Sequence, residues 1–152
     1  MKNNAIITRL SGIQTAQTAA DARAVSALNI ITASRGLTLS DTDARGIAET
    51  RQRALRENER IEIGMSAVEK LILVFSMSPA VDPHDWAELV YMLVENFYYI
   101  KTELHDDIDD NELIKLLVDE FENNCGGVIG YMPDRIEAIL RRLKGMEDAD
   151  ED

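Results

Sequence analysis

Helix start signals recur five times along this sequence, and no other feature constrains the fold as tightly. Ser40-Asp41-Thr42-Asp43 places a capping hydroxyl before a carboxylate. The Ser40 oxygen can accept from the free N–H groups of a first turn. Ser66-Ala67-Val68-Glu69 reads as a full capping box. Asp82-Pro83 pairs a cap with proline at the first helical position, where its missing N–H costs nothing. Asp109-Asp110-Asn111-Glu112 repeats the box, and Pro133 marks one more start. These starts predict helices near 41–58, 66–77, 83–104, 110–123 and 133–144.

Apolar spacing agrees with the caps. Ala44, Ile47, Ala48, Ala54 and Leu55 share one helical face. So do Val68, Leu71, Ile72 and Phe75, then Leu113, Ile114, Leu117 and Phe121, then Ile136, Ile139, Leu140 and Leu143. The 83–104 segment carries Trp86, Leu89, Val90, Leu93, Phe97 and Ile100, widened by Tyr91, Val94 and Tyr98. Apolar around much of its circumference, it belongs at the centre of a bundle. Upstream, Ala20, Ala24, Ala27, Leu28 and Ile31 suggest a stripe that ends at Gly36, a residue suited to a left-handed helix terminus. Only Arg60-Ile61-Glu62-Ile63 alternates with period two, enough for one short extended piece without a partner strand. The expected fold is all-α: a single-domain bundle of five to six helices with short loops over residues 17–145. A flexible arm or weak helix at 1–16 precedes it, and a disordered acidic tail at 146–152 follows.

Charge bounds the partners. The chain of 152 residues has a net charge of −12. Residues 1–76 hold 10 Lys/Arg and 8 Asp/Glu, whereas residues 77–152 hold 6 and 20. A second half at −14 repels phosphate backbones, so nucleic acid is an unfavourable partner. The start, Met1-Lys2-Asn3-Asn4, leads into no apolar run of the secretory kind, and Leu71 to Phe75 is too short to span a bilayer. The single cysteine, Cys125, cannot form an internal disulfide. Together these features lead us to expect a cytoplasmic protein without membrane contact.

Five residues are candidates for chemistry or recognition. Cys125 could act as a nucleophile with His84 or His105 as base. It falls at the negative end of a helix near Glu120 and Glu122, which disfavours a thiolate, so packing as a small apolar residue is the expected role. The acids from Glu103 to Glu112 surround His105 and could hold a divalent ion. A calcium loop starting at Asp109 would put Ile114 where glycine is required, and one starting at Asp107 would put Val118 where glutamate is required. Arg45, Glu49, Arg53 and Glu57 form a self-paired ladder at i,i+4 spacing. Arg51 and Arg56 lack such partners, so one or the other is expected to reach carboxylates of the second half, the alternative being an external anion. Tyr98 and Tyr99 point about 100° apart on a helix, so only one faces the core. Tyr98 is expected inside, leaving Tyr99 as an anchor for a partner.

Several stretches, taken in order, resemble a family of small helical proteins from Gram-positive anaerobic bacteria. They are Gly36-Leu37-Thr38-Leu39-Ser40, Arg53-Ala54-Leu55-Arg56-Glu57-Asn58, Arg60-Ile61-Glu62-Ile63-Gly64, Phe97-Tyr98-Tyr99-Ile100-Lys101, Asp110-Asn111-Glu112-Leu113-Ile114 and Cys125-Gly126-Gly127. The resemblance covers roughly residues 25–142. It departs from the family pattern at Ile63, an aromatic position, and at Thr102, an amide position. It implies a source and a helical domain, and no chemistry.

No phosphate loop, dinucleotide fingerprint or zinc-protease helix occurs in the sequence. The expected function is therefore a non-enzymatic helical module that binds protein or regulates it, without a cofactor and compatible with a homo-oligomer. The alternative is an enzyme or binding protein for a small molecule or divalent metal, using carboxylates near His105.

Overall fold

The computed structural model describes the backbone of residues 16–150 and the side chains of residues 16–145. The expected arm at 1–16 lies outside that range except for its last residue. The expected tail falls outside it at residues 151–152 and for the side chains of 146–150. The described residues form helices and no strand. In order, they are α1 (16–27), α2 (Asn29–Thr32), α3 (Asp41–Glu57), α4 (Ser66–Ser76), α5 (Trp86–Glu103), α6 (Asp110–Asp119) and α7 (Met132–Asp150).

The caps act largely as the residues dictate. The Ser40 hydroxyl accepts from Asp43 N at 3.0 Å, Asp82 from His84 N at 2.9 Å, and Asp109 from Asn111 N at 3.1 Å. Pro83–Asp85 forms a tight 3₁₀ turn before α5. Ser66 departs from expectation. It is the first residue inside α4, the flanking position is Met65, and no side chain caps there. The chain arrives through Gly64 at φ 81°, which places Met65 rather than Ser66 at the boundary. A second departure lies at the end of α6. The helix widens after Asp119 into a π turn, Glu120–Asn124, before Gly126 and Gly127 reverse the chain with φ of 57° and 81°.

α5 runs through the middle, in contact with α3, α4 and α7. Leu93 and Phe97 are each 1% exposed. The crossing of α3 and α5 is close because Gly46 has no Cβ. An added Cβ would overlap the Tyr91 hydroxyl, which donates to Asp43 O at 3.3 Å.

The first stripe is corrected by one register. Asp21, Val25, Leu28 and Thr32 are buried, while Ala20, Ala27 and Ile31 are exposed. An alanine stripe has little apolar area to hide. Thr32 is buried and Asn29 half-buried instead, because each finds partners. Thr32 donates to Leu37 O at 2.6 Å, and Asn29 exchanges two hydrogen bonds with the Leu39 backbone. These bonds fix the 37–40 connection, together with Gly36 at φ 75°.

Candidate functional site

The connection from α3 to α4 is the most unusual surface of the protein. Arg60, Ile61, Glu62 and Ile63 alternate, but in the opposite sense to an ordinary amphipathic segment. Ile61 and Ile63 are each 96% exposed. The charged residues that alternate with them are tied down. Arg60 grips Asp106 bidentately, at 2.6 and 3.1 Å. Glu62 accepts from the Tyr98 hydroxyl at 2.8 Å and lies 3.5 Å from the Arg51 guanidinium.

Beneath this segment lies a buried polar cluster. Arg51 is 1% exposed. Its Nη1 donates to Asp21 Oδ2 at 2.9 Å, and its Nη2 to Gly64 O at 2.5 Å. Asp21, itself 2% exposed, also accepts from Gln52 at 2.7 Å and from Gln17 at 2.9 Å. Burial, then the neighbouring Glu62 carboxylate, pushes the Tyr98 phenol well above its ordinary range. The cluster joins α1, α3, α5 and the 62–64 turn. It holds the backbone from which the two isoleucines project.

Two helix ends meet at the same corner. α3 closes with Arg60 N donating to Leu55 O, and α5 with Asp106 N donating to Lys101 O. Such closures require a left-handed residue, usually glycine. Here the positions fall to Glu59 at φ 54° and His105 at φ 52°, and Asp106 follows at 61°. Among the described residues these three are the only non-glycine residues with positive φ. All three line one groove of about 380 Å³, with Asn58, Arg60, Ile61 and Thr102. Each such residue costs on the order of 1 kcal/mol, and such strain gathers at functional surfaces.

The candidates named from sequence scatter. Arg51 is a corrected expectation: it does pair with carboxylates, but Asp21 and Glu62 both belong to the first half of the chain. Its side chain had no helical partner because its partner sits on another helix. Arg56 is exposed and makes no ion pair among the described residues. The arginine that bridges the halves is Arg60, to Asp106. Tyr99 is half-buried at α5 and donates to Glu137 at 3.2 Å, while Tyr98 is in the core. Its groove, with Ala54, Glu57, Asn58, Glu95 and Asn96, does not include His105, although it shares Asn58 with the groove that His105 lines.

His105 is exposed at the rim of the strained groove. Three of the nearby acids already have cations: Lys101 lies 2.7 Å from Asp110 and 3.8 Å from Asp106, and Lys144 donates to Glu103 at 2.8 Å. Among the described residues no three His, Cys, Asp or Glu side chains gather as metal ligands. Cys125 is 3% exposed against Met132, and burial, then Glu120, raises its thiol pKa. The structure does not bring Cys125, His105, Tyr99, Arg51 and Arg56 into one site.

Sequence reading missed Asp21, Glu59 and the outward turn of Ile61 and Ile63. Asp21 had one signal, its spacing with Val25, Leu28 and Thr32. Glu59 had none, since glutamate does not announce positive φ, and His105 had only the weak preference of histidine for the left-handed region.

No helix among the described residues is long and apolar enough to cross a membrane. Residues 24–149 match the family described as "Family of unknown function (DUF6323)", and the chain belongs to that family. No curated protein and no solved structure matches the chain.

Proposed function

We propose that this member of the family is a non-enzymatic module for protein recognition or regulation, and that its contact edge is the 60–63 segment. The observation that carries the reading is the inverted alternation. Water-exposed isoleucines gain nothing in the monomer, while Arg60 and Glu62, which alternate with them, are held by Asp106 and Tyr98. Apolar side chains held this way are anchors for a partner surface. The strained helix ends at Glu59 and His105 support the same corner. A cytoplasmic setting in a bacterium accompanies this proposal, supported by the single buried cysteine.

A photo-crosslinking residue placed at 61 or 63 tests it in cells. One discrete protein adduct is expected from either position and none from position 88, on the far end of α5. Equal labelling from all three positions, or none from 61 and 63, contradicts the proposal.

A further inference from the structure

The groove beside Ile61 lies between the carbonyl ends of two helices. Asn58 and Glu59 close α3, and Thr102 and His105 close α5; all four residues line the groove. Helix C-termini carry negative partial charge, and here two of them face one space. The arginine in that space, Arg60, is already neutralised by its bidentate contact with Asp106. Glu59 is exposed and makes no ion pair among the described residues, and neither does exposed Asp107, next along the chain from Asp106. The corner therefore combines a negative groove with an apolar rim, on a chain of net charge −12.

We infer that the partner seated on Ile61 and Ile63 is a basic protein segment, which places a lysine or arginine side chain in the groove while an apolar pair covers the isoleucines. The inference rests on the proposed role of that edge. It adds the chemistry of the partner. About 380 Å³ accommodates an ammonium or guanidinium head with part of its stem. The Glu59 carboxylate and both helix dipoles complement such a head, and opposite charge across a contact sets partner choice. A second copy of this acidic chain would bring like charge to the same corner.

The test uses the full chain and three blocked heptapeptides with a central valine–threonine–valine, flanked on both sides by lysine, glutamine or glutamate pairs. Binding is followed by fluorescence anisotropy. The lysine peptide should bind best and weaken as salt rises from about 50 to about 500 mM. Glu59→Gln should weaken it by about fivefold or more, and Ile61→Ser with Ile63→Ser should abolish it. Glu88→Gln removes the same charge at the other end of α5 and should change binding less than about twofold. Equal effects of Glu59→Gln and Glu88→Gln would reduce the attraction to net charge and overturn the inference. Tight binding of the glutamine peptide that still needs both isoleucines would overturn the basic partner while leaving the contact edge standing. Peptide binding indifferent to the isoleucines, or self-association of the chain lost in the double serine variant, would overturn the inference as well.

Discussion

Arg51 donates to Asp21 across 2.9 Å in a region closed to solvent, joining α3 to α1 between residues thirty positions apart in the chain. Neither charge has water to fall back on. Removing one partner of a buried pair costs about 3–5 kcal/mol, towards the lower end for loss of Asp21, because Arg51 keeps Glu62 at 3.5 Å. Asp21→Asn should therefore lower unfolding stability by an amount in that range, measured by urea denaturation. Combining it with Arg51→Met should cost less than the sum of the single variants, because the pair is coupled. A loss under about 1 kcal/mol for Asp21→Asn would show that α1 does not depend on this contact.

The close crossing of α3 and α5 gives a test whose sign inverts. Alanine in a helix interior is favoured over glycine by about 1 kcal/mol. At Gly46 the three atoms nearest an added Cβ all belong to Tyr91. Gly46→Ala alone should destabilise by about 1–2 kcal/mol, the overpacking exceeding the propensity gain. In a Tyr91→Ala background the same change should stabilise by about 1 kcal/mol. Thermal melts of the four proteins decide it, and an effect of the same sign in both backgrounds refutes the crossing geometry.

Much of the bundle was legible because caps and periodicity act locally. Ser40, Asp82 and Asp109 cap as their spacing requires, and the buried faces of α3 to α6 follow the apolar pattern. Ser66 failed because its turn depends on Gly64, outside the box itself. Asp21 was legible only through its spacing with Val25, Leu28 and Thr32, because burying a carboxylate needs a distant guanidinium that no local window contains. Arg51 without an i,i+4 partner was a signal that such a carboxylate existed, though it pointed to the wrong half of the chain. Of the candidate site, the period-two pattern at 60–63 was visible, but which set faces outward was decided by Tyr98, Arg51 and Asp106.

The left-handed ends carry strain that glycine would release. His105→Gly should raise stability by about 0.5–1 kcal/mol, since a side chain at φ 52° is disfavoured and no hydrogen bond of the imidazole is lost. Asp106→Gly should show no such gain, because it deletes the contact with Arg60. Chemical denaturation of both variants distinguishes strain from a tolerated turn. Destabilisation by His105→Gly would mean that the ring contributes packing the backbone geometry does not reveal.

Two carboxylates should contribute to acid sensitivity. Arg60 holds Asp106 below the usual carboxylate range, and Arg135 does the same for Glu120, whose carboxylate it contacts at 2.7 Å. A group whose folded pKa lies below its unfolded value adds stability that is present above the unfolded value. That stability is lost as pH falls through the folded one. The melting temperature should thus hold through neutral pH and drop below about pH 4. Arg135→Leu removes the main support of Glu120 and leaves a carboxylate that is 3% exposed, so the drop should begin at higher pH. An unchanged onset would show that Arg135 does not set the Glu120 proton affinity.

The outward turn of Ile61 and Ile63 underlies both the contact edge and the nature of its partner. Its most direct measurement is the relaxation of isoleucine δ1 methyl signals by a neutral, soluble gadolinium chelate. The Ile61 and Ile63 methyls should relax as fast as that of Ile30, which is 86% exposed, while Ile47, Ile72 and Ile100 stay protected. Ile61 and Ile63 protected to the degree of Ile72 would contradict the inverted alternation and the contact edge with it.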